Sequence, residues 1–304
     1  MTTERPNLQG QPETLTDDLT LIEIGDVPLF LSPAATDETM FAVPKIENSG
    51  ELNFTPRAFL FDIDGTACLN QPGAHPSERV TGAMAQAQAA GVHMGAMTGR
   101  PLFQAREMFP TLSGPSVLHG GAIIADLSTG EIFRSHPLSA DNIDTIAGMV
   151  APLAASHYVE VISTENFVPL TRKEELNGDP LEVYVSALEE DAADALLANL
   201  AELTTVAAHK LISYTPGKID VYITNALARK DASLFEVADM LGISASEIIG
   251  IGDGFNDLPW LQHCGLSVAM ENAVWRLKYS VDCIAPSVYD DGVAKAIERF
   301  CLAK

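Results

Sequence analysis

Basic residues are scarce in this chain: 18 Lys and Arg stand against 41 Asp and Glu, a formal net charge of −23 at pH 7. A surface of that sign repels nucleic acid and anionic membranes, so both are excluded as partners, and an anionic ligand must find its positive charge locally. Cysteine is scarce as well. Cys68, Cys264, Cys283 and Cys301 form no C-x-x-C pair and no zinc-type spacing, and they read as small buried hydrophobes of a reducing compartment. Long apolar runs are missing too. No stretch approaches the roughly 18 uninterrupted apolar residues that mark a membrane span, and the opening residues carry no apolar signal core. These absences predict a cytoplasmic protein. What is present, 47% hydrophobic and 19% charged residues over 304 positions, is the composition of a globular chain of one large domain or two modest ones.

Residues 1–56 are polar, acidic and dotted with prolines, with one apolar patch at Val27–Leu31. They read as an extension, partly disordered or packed on the domain surface. From Ala58 onward apolar strands and amphipathic helices alternate: strand 58–62, helix 77–90 with Ser77 as its cap, strand 91–99, a helix opening at Pro101, and strand 115–121. That alternation predicts a doubly wound, mainly parallel α/β sheet. Between 123 and 214 the pattern changes to short strands separated by helices near 139–157 and 189–203, which predicts an inserted α+β unit. Alternation resumes at 215 with "IDVYIT", helix 230–241, strand 247–253, strand 266–270 and a closing helix 292–300. The expected organisation is therefore an extension (1–56), a core (57–122 and 215–304) and an insertion (123–214).

Four polar stretches fall at or near the ends of core strands: Asp62-Ile63-Asp64-Gly65-Thr66, Thr98-Gly99-Arg100, Lys230, and Gly252-Asp253-Gly254-Phe255-Asn256-Asp257. In an open parallel sheet the carboxyl ends of the strands form the ligand crevice, so these stretches should converge. Two aspartates as close as Asp62 and Asp64 repel each other unless a cation or a proton intervenes. Asp62 and Asp253 offer hard oxygen ligands suited to Mg²⁺. A carboxylate held ionised in that way can attack phosphorus, while Asp64, just past the strand end, can protonate the leaving oxygen and then deprotonate water. Thr98, the backbone around Gly99 and the Lys230 ammonium can hold phosphate oxygens. Each stretch alone has an ordinary reading as a turn or a solvated charge; the four in this order do not.

These residues resemble the haloacid dehalogenase-like hydrolases, specifically the Cof-type phosphatases, over about 57–304. The resemblance extends to Ala269-Met270-Glu271-Asn272-Ala273 and Asp291-Gly292-Val293-Ala294. It implies an aspartyl-phosphate at Asp62, acid/base work at Asp64, and Mg²⁺ held by Asp62, the Asp64 carbonyl and Asp253. It also implies Asp257 behind the metal site, Asn256 near the phosphate, and a large α/β cap formed by the insertion. Where many relatives carry Asn-Gly-Ala before the cap, this chain has Gly120-Gly121-Ala122 after His119; the histidine reads as structural rather than as a replacement ligand.

The expected activity is Mg²⁺-dependent hydrolysis of a small phosphorylated metabolite, a sugar phosphate or a phosphorylated cofactor. A phosphomutase or phosphotransferase differs only in what accepts the phosphoryl group from Asp62. A nucleotide-binding module is weaker: the glycines at 250, 252 and 254 lack the dinucleotide spacing, and Asp253 would face a pyrophosphate with like charge. Within the insertion, Arg172 and Lys173 are the cations that could meet substrate.

Overall fold

The fold is that of a computed structural model, which describes residues 21–24, 27–30 and 43–303 except 214. Continuous apolar runs form its central sheet. Ala58–Phe61 and Ile248–Gly252 are buried at every position, as strands covered on both faces must be. They pair in parallel, and the order across the sheet is Cys283–Ala285, Leu266–Met270, Ile248–Gly252, Ala58–Phe61, His93–Ala96. From Ala58–Phe61 the chain moves one way across the sheet to His93–Ala96; the strands after residue 248 lie the other way. The boundary between Ala58–Phe61 and Ile248–Gly252 is thus the switch point where crevices open in sheets of this kind. The expected helix after the first strand is Glu78–Ala89, and the Ser77 hydroxyl accepts from Val80 N at 3.2 Å. The α/β class and the parallel sheet are as the sequence predicts.

The limits of the insertion differ from expectation at both ends. A parallel bridge from Met97 to Val117 places strand Pro115–Leu118 beside the central sheet; Ile123–Asp126 and then Ile132–Ser135 pair onto it antiparallel. Ile123, Ile124 and Ala125 are fully buried in the main hydrophobic cluster, so residues 123–135 belong to the core rather than to the insertion. At the other end, Ile219–Asn225 does not rejoin the parallel sheet. It pairs antiparallel with both Glu182–Leu188 and Val206–Ile212 in a five-stranded sheet completed by Val159–Ile162 and Phe167–Pro169. The physical reason is its alternation: Val221 and Ile223 enter a second hydrophobic cluster, with Asp220 and Tyr222 on the other face. Such a strand suits a two-faced antiparallel sheet and not a parallel core. That second cluster runs from Leu138 to Ile223, with helices Ala140–Val150 and Glu190–Leu200 packed in it. The crossing segments are tied together where Asn225 Nδ2 donates to Pro137 O at 2.8 Å.

The extension is also shorter than expected. Residues 43–304 form one compact unit and 1–42 another. Ile46 is buried in the main cluster, and Ile284 N donates to Pro44 O at 2.9 Å. Within the first unit, Leu21–Ile24 pairs antiparallel with Val27–Phe30, the latter in the apolar patch; the rest of the expected extension up to residue 42 lies outside the described residues. No helix among the described residues is long and apolar enough to cross a membrane.

Candidate active site

The register of the central sheet sets the site. Phe61 is paired with Ile251 on one side and with Ala96 on the other, so the chain past each strand end arrives at the same edge. Asp62 N still donates to Ile251 O at 3.0 Å, and Met97 N to Phe61 O at 2.8 Å. Gly65 then turns the chain with φ +78°. A Cβ there would stand 2.2 Å from Asp253 Oδ2, so only glycine allows the first loop to lie against the fourth.

Lys230, the first residue of helix Lys230–Leu241, carries the link between the distant stretches. Its Nζ donates to Asp62 Oδ1 at 2.9 Å and to Asp257 Oδ1 at 2.8 Å, with all three side chains largely buried. Asp257 is fully engaged: Trp260 Nε1 also donates to Oδ1 (3.1 Å), while Asp253 N and Gly254 N donate to Oδ2 (3.2 and 3.0 Å). It therefore orients Lys230 and the Gly252–Asp257 loop. Thr66 Oγ1 donates to Asp253 Oδ1 at 2.8 Å. Arg100 grips Asp64 with both arms of its fork, Nε to Oδ2 at 2.8 Å and Nη2 to Oδ1 at 2.5 Å. The Thr98–Arg100 turn is closed by Arg100 N donating to Thr98 Oγ1 at 3.1 Å. Asn256 is exposed in the same loop that carries Asp253 and Asp257.

Electrostatics give the cluster its bias. Burial pushes the Asp62 carboxyl well above its ordinary value; Lys230 opposes this, and Asp257, Asp253 and Asp64 reinforce it. Burial and then Asp257 push Asp253 up to about 7, against the Thr66 hydrogen bond and Lys230. Burial disfavours the Lys230 ammonium, yet Asp257 and Asp62 outweigh it and hold the group above its usual range. Four carboxyl groups (Asp62, Asp64, Asp253, Asp257) face two cations (Lys230, Arg100), so full ionisation of the four leaves an excess of two negative charges. Oxygens of Asp62, Asp253 and Asp257 lie within 4.8 Å of one another, and Oδ2 of both Asp62 and Asp253 takes no hydrogen bond among the described residues. An all-oxygen donor set with that charge excess fits a hard divalent cation.

The raised Asp253 value has a measurable consequence. Its folded-state value lies above the ordinary 3.8, so its contribution to stability is full below about pH 4 and is lost as pH rises towards 7. In chelator, wild type should lose stability relative to Asp253→Asn over that window, on the order of 4 kcal/mol if Asp253 alone carried the shift. The comparison removes the histidines His93 and His209, whose lowered values tilt stability the other way. Urea unfolding of both proteins across pH measures it; a difference that stays flat with pH would contradict the assignment.

Of the residues expected from sequence, Asp62, Asp64, Thr98, Gly99, Lys230, Asp253, Asn256 and Asp257 are gathered by this edge. Arg172 and Lys173 are not joined to it: Arg172 pairs with Glu175, and Lys173 with Asp144 on helix Ala140–Val150. Sequence reading assigned no role to Thr66, Arg100 or Asn272. Asn272 Nδ2 donates to Gly65 O at 2.7 Å, and its Oδ1 accepts from Val288 N at 2.9 Å, bracing the first loop. Its signal was the polar pair Glu271-Asn272 just past the strand Leu266–Met270.

A parallel α/β sheet with close carboxylates, a buried lysine and a hydroxyl gathered at its switch point places this cluster where sheets of this kind bind their ligands. The sequence matches the family described as haloacid dehalogenase-like hydrolase over residues 59–168 and 155–297, and the chain belongs to that family. It is 30% identical over 247 residues to the 5-amino-6-(5-phospho-D-ribitylamino)uracil phosphatase YcsE of Bacillus subtilis (strain 168), covering 79% of this chain and 94% of that one. Among solved structures it shares its fold with the phosphatase BT1666 of Bacteroides thetaiotaomicron, with a TM-score of 0.68, 20% identity, and coverage of 82% of this chain and 96% of that one. The sugar phosphatase BT4131 matches with a TM-score of 0.64, 18% identity, and coverage of 81% and 100%.

Proposed function

We propose that the protein is a Mg²⁺-dependent phosphatase that hydrolyses a small phosphorylated metabolite, a sugar phosphate or a phosphorylated cofactor, through an aspartyl-phosphate at Asp62. The observation that carries this reading is the Asp62–Lys230–Asp257 chain beside Asp253, with Asp64 held by Arg100 on the next loop. Bound at the Asp62 and Asp253 carboxylates and the Asp64 carbonyl, Mg²⁺ would neutralise part of the charge that otherwise keeps a phosphate dianion out.

The chain's own residues account for the rest. The Asp62 carboxylate attacks phosphorus and the ester P–O bond breaks, with the proton of the Asp64 carboxyl passing to the leaving oxygen. Asp64, now a carboxylate, takes a proton from water; that water's oxygen attacks the phosphoryl group, releasing phosphate and restoring Asp62. Lys230, the Thr98 hydroxyl, the backbone at Gly99 and Asn256 hold non-bridging oxygens through both steps. The antiparallel unit acts as the cap that excludes water and selects the leaving group, with Arg172 and Lys173 its cations for substrate contact. Relatives named as phosphatases of a phosphorylated uracil derivative and of sugars support this substrate class.

Because both Asp64 oxygens are held by Arg100, the arginine controls when that carboxyl is available for proton transfer. Arg100→Met should lower kcat about tenfold or more, within the range that general acid–base work supplies. The loss should be larger for alkyl than for aryl phosphates, whose better leaving groups need less protonation. Arg100→Lys should not restore it, since an ammonium cannot replace the two-pronged contact. Equal losses on both substrates would contradict this role. The function as a whole is tested by screening sugar phosphates, pyridoxal phosphate and flavin mononucleotide with Mg²⁺ and with chelator. Release of phosphate only with Mg²⁺ supports it, and full activity in chelator would overturn it.

A further inference from the structure

Behind the Thr98 turn lies a buried polar cluster that this chemistry leaves unused. His119 is fully buried and holds a left-handed backbone, φ 49°. It braces the turn three ways. Its N donates to Arg100 O at 3.1 Å, the next residue's N (Gly120) donates to Thr98 O at 3.0 Å, and its Nε2 accepts from Leu102 N at 3.3 Å. With Nε2 an acceptor, the proton of the neutral ring sits on Nδ1. That atom faces Glu182 Oε2 at 3.7 Å, just outside hydrogen-bond reach.

Glu182 belongs to the antiparallel unit, at the start of Glu182–Leu188, and its partner across the ladder is Thr224. Directly opposed residues share a face, so their side chains are neighbours. Nδ1 of His119, Oε1 of Glu182 and Oγ1 of Thr224 are all buried without a hydrogen-bond partner among the described residues. Unpaired buried polar atoms are costly and rare, and three side by side mark a contact that a small displacement completes. Shifting the antiparallel unit by about 1 Å would bring the imidazole N–H onto the Glu182 carboxyl oxygen. The same segment leans on the other phosphate-holding element: a Cβ on Gly121 would lie 2.5 Å from Arg229 N, immediately before Lys230.

We propose that His119 is a positioning residue for phosphate capture, and that Glu182, with Thr224, sets its ring from the antiparallel unit. Seating of that unit is thereby transmitted to the Thr98–Leu102 turn. This rests on the reading that Thr98 holds phosphate. The contact lies in neither the nucleophile nor the metal-ligating carboxylates, so it should act on binding of the phosphoryl group rather than on its transfer.

The test is hydrolysis of an aryl phosphate with inorganic phosphate as competitive inhibitor, with Tm measured alongside. His119→Asn keeps a polar group towards Glu182 and tolerates the left-handed backbone, but loses the acceptor for Leu102 N. It should raise KM and the phosphate inhibition constant together, roughly fivefold, the scale of one lost hydrogen bond, with kcat changed less than about twofold, as loss of uniform binding requires. His119→Gln, which can place an acceptor where Nε2 stood, should recover most of that affinity. Glu182→Leu should weaken phosphate binding in the same direction, and Glu182→Gln, which retains an acceptor, should recover it. Thr98→Val separates the two claims. If it weakens phosphate inhibition while the His119 and Glu182 variants lower only Tm, the positioning role is overturned and the phosphate turn stands. If Thr98→Val changes nothing, the turn's role fails and this proposal fails with it.

Discussion

Asp62→Asn should abolish turnover, by at least about 10⁴-fold in kcat, because the amide is no nucleophile and no longer supplies a metal-binding charge. The fold should survive. Asp62 sits at the end of a fully buried strand and makes its side-chain contact to Lys230 alone among the described residues, and an asparagine oxygen can still accept that bond. Because burial already disfavours the Asp62 charge, the neutral variant should be at least as stable as wild type in chelator at neutral pH. Circular dichroism, Tm and a phosphate-release assay on one preparation measure all three. A folded variant that keeps more than a small fraction of activity would exclude Asp62 as the nucleophile.

Lys230→Met should be the most destabilising single change in the site. Lys230 is the cation between Asp62 and Asp257, and removing one partner from a buried ionic group leaves the rest uncompensated, typically at about 3–5 kcal/mol. Methionine fills similar space, so the loss is electrostatic and not a cavity effect. The deficit should therefore shrink as pH falls and the carboxylates take up protons. It should also shrink with added Mg²⁺, which restores positive charge to the same carboxylates. Activity should fall by roughly a thousandfold, the upper range for removal of one preorganised donor to developing charge. Lys230→Arg should not rescue it, because a planar fork does not fit a point contact to two carboxylates of different loops. A Lys230→Met protein as stable as wild type at neutral pH in chelator would show that the carboxylates are not close enough to need it.

How much of this was readable in advance depended on the range of the signal. Asp62, Asp64 and Asp253 stand beside uninterrupted apolar strands, so strand type, strand end and site were legible from a few neighbouring residues. Lys230 opened a helix at the right place in chain order, but its double contact joins residues 168 and 27 positions apart and no local pattern encodes it. The Arg100–Asp64 pair was hidden for the same reason: the tripeptide Thr98-Gly99-Arg100 reads as a turn until the sheet brings it beside Asp64. The place of Ile219–Asn225 in the strand–helix order points to the core, yet its alternation of Ile, Asp, Val, Tyr and Ile carries the answer that it pairs in the antiparallel sheet. Conversely, Ile123–Asp126 looked like the start of the insertion because a strand there breaks the strand–helix alternation, yet its full burial places it with the core. Glu182 gave no signal at all, since a glutamate at the edge of an apolar run is ordinarily solvated, and here it is 1% exposed.

The central claim is that the phosphoryl group passes through the Asp62 carboxylate. Acid quenching in the first turnover, followed by borohydride reduction and peptide mass analysis, tests it most directly, because an acyl phosphate is reduced to an alcohol while a free carboxylate is not. The expected result is reduction at Asp62 alone, only when substrate and Mg²⁺ are both present, with more of the trapped species in Asp64→Asn, where hydrolysis is slowed. Reduction at another carboxylate, or phosphate release in the same turnover with no reduced residue at any time point, would contradict it.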